Sequence, residues 1–417
     1  MTAVPLRRNR DFLLLQTGLL LSSAGSQMTS VAYPLLVLAL TGSPAKAGIV
    51  GFVRMFAMAL FALPAGLAAD HWNRRRLMIS AHAVRAVAIG TLGLLVAFDD
   101  LVFWVIPLVA FVEGLGAAVF GSAQAGAFRA VVPTGQLPGA VAVVTGREAA
   151  VSVASPALGG VLFGIARALP FLVHAVLYVF SAGALLAMRT PFQKEREAES
   201  ASLRSRLTEG FRFLWDQPFL RTTSLLFGLA NFIGPGVLLA IVVIGEQQGL
   251  SSGRVGLLVS AFGACVLVGS FLSPLVRRRL PVRGVLVIEL WTWTGCGLFV
   301  VWPNVYVLVA SILPTALVIP STDSVVHSFR FALTPDRLQG RVTSAWTTIA
   351  LLVAPLGPLL AGFLLDATTA RATIAVFAAS GLVLAVWGTL SPSIREAPTL
   401  EEITAHREQG AAAASAS

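Results

Sequence analysis

The sequence predicts an all-α membrane protein with twelve transmembrane helices in two six-helix, pseudo-symmetric halves. Three observations predict it. Apolar residues make up 56% of the 417 and charged residues only 12%, with a mean hydropathy of +0.82; a soluble domain carries roughly 25% charge. The apolar sequence divides into twelve stretches, each long enough for the ~20 residues that cross a bilayer as a helix. Charged punctuation also repeats. Gly66, Asp70 and Arg74–Arg76 return 203 residues later as Gly269, Ser273 and Arg277–Arg279, and Pro156-Ala-Leu-Gly-Gly160 is echoed 202 residues on by Pro358-Leu-Leu-Ala-Gly362.

The twelve segments fall at 12–40, 44–69, 76–98, 102–131, 138–165, 169–189, 218–246, 252–276, 282–301, 304–330, 340–365 and 371–390. Thr41-Gly-Ser-Pro44 and Pro133-Thr-Gly-Gln-Leu-Pro138 stop helices where a turn is needed. The halves are therefore 1–189 and 218–390. Between them, 190–217 is a polar cytoplasmic connector in which Leu203, Leu207, Phe211 and Leu214 suggest a short amphipathic helix at the membrane interface. The Ala/Ser-ending tail, 391–417, reads as disordered and cytoplasmic. The first apolar run is too long for the core of a cleavable signal.

Lys and Arg set the orientation, because they accumulate in cytoplasmic loops. With the N-terminus inside, outer loops hold only Lys46, Arg167, Arg254 and Arg371 of the 30 basic residues, and Arg54, Arg85 and Arg147 fall within helices. Both termini are thus expected in the cytoplasm, in a plasma-membrane protein. The net charge of +10 does not imply nucleic acid, since the cations are dispersed in short turns. Cys265 and Cys296 lie in apolar segments without metal-type spacing and read as packing. No G-x-x-x-x-G-K-[ST] loop and no catalytic constellation occurs, so neither ATP drive, a cofactor nor enzyme chemistry is expected. Two related membrane halves are the plan of a secondary transporter, whose site lies between repeats.

Gly66, Asp70, Arg74 and Arg75 resemble the signature between helices 2 and 3 of the major facilitator superfamily, with His71 for its usual Arg and Asn73 for its usual Gly. Asn tolerates a left-handed turn better than other side chains, so Asn73 is expected to keep that turn. Ala-Asp70-His-Trp-Asn-Arg-Arg-Arg76 is similar to the drug/proton antiporter branch that contains macrolide efflux proteins and the enterobactin exporter. Ser155, Pro156, Gly159 and Gly160 resemble the end of the antiporter motif of segment 5, linked in the family to export, with Ser155 for a Gly and Val151 at another Gly position. The segment-4 signature survives only as Gly114-Leu-Gly116-Ala-Ala118, and Phe111 stands where its Arg is expected. By this resemblance Gly66, Asp70, Arg74 and Arg75, joined by Arg129 and Glu148, would form a conformational latch that holds the outward-open state.

Charges inside a membrane call for a partner or a cavity. Glu113, near the midplane of segment 4, is the first candidate for carrying a coupling proton, with a static pair to Arg54 in segment 2 as the alternative. Asp323, His327 and Arg330 share a face of segment 10, and His327 suits a proton relay. Arg85 and Glu289 lie on helices that are peripheral in such a fold, which favours a structural or lipid-facing role, and His174 reads as packing. Gln27, Asn231, Gly234 and Pro235 lie near mid-membrane and are candidates for the substrate cavity, with Gly234-Pro235-Gly236 and Pro355 to Pro358 interrupting their helices. Phe52, Phe56, Phe61, Phe111, Phe120, Phe227 and Phe232 suggest an apolar chamber.

The expectation is a monomeric, proton-coupled exporter of small hydrophobic or amphipathic compounds, such as a drug, an antibiotic or a siderophore. Its partners are that small molecule, protons and the lipid bilayer, and not nucleic acid. A nutrient importer of the same fold and a transport-dead scaffold or sensor are the alternatives.

Overall fold

A computed structural model describes residues 5–192 and 203–396. It is all helical, with no strand among the described residues. Eleven helices are long and apolar enough to cross a membrane. The twelfth, α1 (Arg10–Thr41), is the longest at 32 residues, and Ser22, Ser23, Ser26, Gln27, Thr29 and Ser30 make it the most polar in its middle. The others are α2 (Pro44–His71), α3 (Arg74–Ala97), α4 (Val105–Val131), α5 (Leu137–Ile165), α6 (Leu169–Ala187), α7 (Pro218–Gln247), α8 (Ser252–Arg279), α9 (Val282–Val301), α10 (Val305–Leu333), α11 (Gln339–Ala367) and α12 (Ala370–Leu390). The side carrying the start of α1 is called here the near face and the opposite side the far face.

Helix ends follow the local sequence. The Asn9 side chain accepts from Phe12 N–H to open α1, and Gly42, at φ 65°, closes it. Ser43 caps Lys46 N–H ahead of Pro44, whose missing donor costs nothing in a first turn. Asn73 does not take the left-handed turn expected of it. It is extended (φ −63°, ψ 112°) and its side chain accepts from Arg76 N–H, so it serves as the N-cap of α3.

Two helices break just ahead of a proline. α7 is interrupted at Asn231–Phe232, before the expected Gly234–Gly236, because Pro235 is accommodated in the first turn of the half that restarts at Ile233. α11 pauses at Ala354–Pro355 and resumes at Leu356.

Contacts group the chain into two units that cut across the sequence halves. Unit 1 contains α1–α6, residues 235–264 and residues 355–373. Its near-face core joins Phe12, Leu15 and Leu19 of α1 to Met78 of α3, Phe120 and Ala123 of α4 and Leu185 of α6. Of the described residues, unit 2 contains 203–234, 265–354 and 374–396. In it the connecting helix Leu203–Asp216 packs along the first parts of α7 and α11. Leu214 is fully buried, and Glu209 pairs with Arg337 and Arg341. The apolar face expected at the membrane interface is thus used at least partly against protein. The middle of the connector and the tail beyond 396 lie outside the described residues.

Candidate functional site

The near-face signature is built around Arg74. Its guanidinium donates to Ala69 O at 3.1 Å, lies 3.5 Å from Asp70 Oδ1 and fills the space above Gly126 of α4. Arg75 donates to Leu185 O (2.9 Å) and Leu186 O, satisfying free carbonyls at the end of α6. Gly66 has no neighbour within 4 Å of a Cβ position, so nothing in this conformation requires glycine there. Arg129 is exposed and forms no ion pair among the described residues, and Glu148 pairs with Arg147 at 3.2 Å, not with the Asp70–Arg74 pair. Arg147 also donates to Gln16 of α1 at 2.8 Å. Of the six expected latch residues, Asp70 and Arg74 are paired in this conformation, while Glu148 pairs elsewhere.

The Ser155–Gly160 element packs at backbone distance within unit 1. A Cβ on Gly159 would fall 2.3 Å from Met28 O of α1, and one on Gly160 would fall 2.2 Å from Ser252 O of α8. Gly256 of α8 faces Pro156 O in turn, and Ala157 N–H donates to Ser260 Oγ across the same seam at 3.0 Å. Gly48 of α2 packs in the same manner against Pro358 O and Gly362 of α11. Helices related by the internal repeat thus seal the far-face half of unit 1 twice. Beyond the α5–α8 seam, a cleft of about 400 Å³ has Arg167 and Glu246 in its lining.

A polar network occupies the middle of unit 1, away from both seams. Arg85 Nε donates to Glu113 Oε1 at 3.1 Å, and the two side chains are 5% and 0% exposed. Tyr178 O–H points at Glu113 Oε2 (3.4 Å) and lies 3.2 Å from Ser26 Oγ, which also receives Arg85 Nη2 at 3.4 Å. The Arg85 guanidinium sits 4.4 Å above the Tyr178 ring. His174 is held by Thr29 Oγ1 at 3.2 Å and by its contact with the Tyr178 ring, and His82 stacks between Phe120 and Tyr178. Gly25 and Gly116 leave the room that His174 and Arg85 fill. The partner of Glu113 is therefore Arg85 and not Arg54, whose backbone instead meets Gly114 where α2 and α4 cross. Arg85 faces inward because an apolar surround would leave its charge unpaired.

In unit 2, Asp323 and His327 lie exposed on one side of α10, and His327 Nδ1 is bonded to Arg330, which turns inward over Trp346. Asn231 donates from its amide to Phe227 O, satisfying a carbonyl at the break in α7. A Cβ on Gly234 would fall 3.3 Å from the Trp293 ring, and Pro235 is half-buried in unit 1. Gln27 is half-buried on α1. Glu289 is 6% exposed, so it is not lipid-facing. No group of three or more His, Cys, Asp and Glu that could hold a metal ion occurs among the described residues.

The profile of the Major Facilitator Superfamily matches residues 16–290 and 226–415. The chain belongs to this superfamily. Among curated relatives, the multidrug efflux pump Tap of Mycobacterium tuberculosis is 26% identical over 424 residues, covering 97% of this chain and 99% of its own. The enterobactin exporter EntS of Salmonella typhimurium is 26% identical over 380 residues, covering 87% of each. Among solved structures, a bacterial homologue of the lysosomal transporter Spinster, inward-facing and occupied, aligns with a TM-score of 0.73 over 94% of this chain and 97% of its own at 15% identity. A bacterial homologue of the iron transporter ferroportin, inward-facing, aligns with 0.68 over 93% and 98% at 17% identity. These two share the fold.

As a member of the superfamily the chain is a multi-pass membrane transporter for small molecules. Reading its signatures found the near-face turn and the α5 element but missed the Arg85–Glu113–Tyr178 network. The available signal was spacing: His82 and Arg85 one turn apart, and His174 and Tyr178 one turn apart, each put two polar groups on one helix face. Ser26 and Thr29 do the same on α1.

Proposed function

We propose that this protein is a proton-driven exporter of small hydrophobic or amphipathic compounds, working by alternating access as a monomer with both termini in the cytoplasm. The observation that carries the reading is the α5–α8 seam. The residues that resemble the antiporter element, Pro156 to Gly160, are those in backbone contact with Ser252 and Gly256. Full-length similarity to a drug pump and a siderophore exporter supports the same direction. On the positive-inside reading the far face is external, so the two seams would close the outward path. The latch of Gly66, Asp70, Arg74, Arg75, Arg129 and Glu148 would then form on the cytoplasmic side when the seams part.

Gln27, Asn231, Gly234 and Pro235 remain the proposed contacts for substrate, and Phe52 and Phe56, which stack at 5.2 Å, are proposed aromatic contacts. Glu113 and Arg85 hold α1, α3, α4 and α6 together, and Asp323 and His327 are the accessible groups for proton exchange. The test is accumulation of ethidium and a panel of lipophilic antibiotics in cells expressing the chain. Lower accumulation that a protonophore abolishes is expected. Protonophore-insensitive efflux would reject proton drive, and higher accumulation in energised cells would reject export.

A further inference from the structure

Unit 2 holds a buried carboxyl group that forms no ion pair among the described residues. Glu289 lies in the first part of α9, and its Oε2 has no hydrogen-bond partner among the described residues. Beside it stands the hydroxyl of Thr322 on α10, itself 2% exposed, with Glu289 as its hydrogen-bonding neighbour and no further partner among the described residues. Trp293, one turn along the same face of α9, buries an unpaired indole N–H, and Thr315, two turns from Thr322, buries an unpaired hydroxyl. α9 and α10 are direct neighbours that meet closely where Gly295 approaches Ser311 O. Unpaired buried polar atoms are costly, so a cluster of them calls for a reason.

The charged groups around Glu289 are few. Asp323, next to Thr322, acts on it with the same sign. α7 and α12 pack on α9 through Gly234, Gly381 and Gly388, yet residues 222–245 and 373–394 contain no ionisable side chain. On α10 the cation Arg330 is bonded to His327. On α9 itself Arg283 is exposed in the first turn, and Cys296 donates its S–H to Trp293 O. Asp323 is the more exposed carboxylate of the two.

We infer that Glu289 is a proton-binding residue of the transport cycle, reached through Asp323 and held by the Thr322 hydroxyl. The inference rests on the proton-driven reading above. A proton arriving from water at Asp323 passes to Glu289 Oε2. The carboxyl loses its charge there, and its new O–H donates to Thr322 Oγ1. Release returns the same proton to Asp323 and water, and no other bond changes. A metal ion is the poorer fit, because hard cations take six or more oxygen ligands and the cluster offers one carboxylate and hydroxyls.

Infrared difference titration of the full chain in proteoliposomes tests the site without a substrate. A carboxylic C=O band that disappears on raising pH is expected in wild type and absent in Glu289→Gln. Thr322→Val and Asp323→Asn, which preserve shape, should each displace the midpoint of that band. A band unchanged in Glu289→Gln, or midpoints unchanged in both other variants, would overturn the proposal. So would a band displaced by sodium at constant pH, which would make the cluster a metal site. The coupling role is read from ethidium efflux driven by a pH gradient: Glu289→Gln should reduce it to the protonophore level, and full efflux in that variant would overturn the role. The wild-type band without efflux of any dye would overturn export while upholding the proton site.

Discussion

Gly160 of α5 and Gly256 of α8 pack so closely that a Cβ on either would lie 3.1 or 3.2 Å from the Cα of the other. Gly48 of α2 and Gly362 of α11 stand in the same relation, at 3.0 and 2.8 Å. Proline carbonyls complete the match, since Pro156 O faces Gly256 and Pro358 O faces Gly48. One element of the repeated sequence therefore makes one kind of seam twice. A side chain on any of these glycines would meet backbone, which cannot swing away as a flexible side chain can.

Gly160→Val or Gly256→Leu should accordingly hold the far face open. Forcing extra carbons into a packed contact costs about 1–3 kcal/mol, on the order of a 5–150-fold shift between two conformations. The measurement is the rate at which a membrane-impermeant thiol reagent, added from the far face, labels a cysteine at Ser152, whose carbonyl lies under Gly263. With Cys265 and Cys296 replaced, labelling should rise and transport should fall at equal abundance. Unchanged labelling would mean the seam is not a moving part.

Asp70→Asn or Arg74→Ala should leave the protein inserted and cripple transport. The Asp70–Arg74 pair, half-buried at Arg74 and exposed at Asp70, is 3.5 Å apart and supplies little stability in this conformation. Its value would lie in the opposite one, where the proposed latch would bring Arg129 and Glu148 to it. Equal transport rates in wild type and both variants would remove the latch role.

Much of the fold was legible in the chain because lipid imposes a simple rule, that every span needs its run of apolar residues. The α5 element was legible for a related reason: Pro156 and Gly160 are the residue types that a backbone contact demands. Asn73 was misread because a residue fit for a left-handed turn is equally fit for an N-cap, and the chain chose the cap. The partner of Glu113 was misread as Arg54 in place of Arg85 because depth along a helix says nothing of its rotation. Whether a cation in α3 faces lipid or Glu113 depends on α4 and α6, which no local pattern in α3 reports.

Asp366 at the end of α11 accepts from Ser43 Oγ at 3.0 Å and faces Ala45 N–H at 3.5 Å, which places a carboxylate on the N-terminus of α2. The repeat puts Gly164 at the matching place on α5, so the α5–α8 seam lacks this carboxylate and uses the Ala157–Ser260 bond instead. Asp366→Ala should loosen the α2–α11 seam by about 0.5–2 kcal/mol, the scale of a lost N-terminal cap. Asp366→Asn should cost less, since the amide oxygen can still accept. Labelling at Ser152 in both variants, compared with Ser260→Ala, would order the two seams; no change in any of the three would leave the glycines as the whole seal.

The Arg85–Glu113 pair yields the sharpest stability test. Both groups are buried, and Glu113 receives Arg85 and Tyr178 on its two oxygens. Removing one partner of a buried pair strands the other charge and costs about 3–5 kcal/mol. Glu113→Gln and Arg85→Gln should therefore each lower thermal stability and membrane abundance sharply. Tyr178→Phe should cost about 1 kcal/mol, the usual worth of one hydrogen bond. Arg85→Met with Glu113→Leu in one chain removes both charges together, and a well-packed apolar replacement of a buried pair is often neutral. The double variant should recover abundance, and its pH-driven efflux then separates two roles for the pair. Full efflux assigns Arg85 and Glu113 to holding α1, α3, α4 and α6 in register. Recovered abundance with no uphill efflux would return the coupling proton to Glu113.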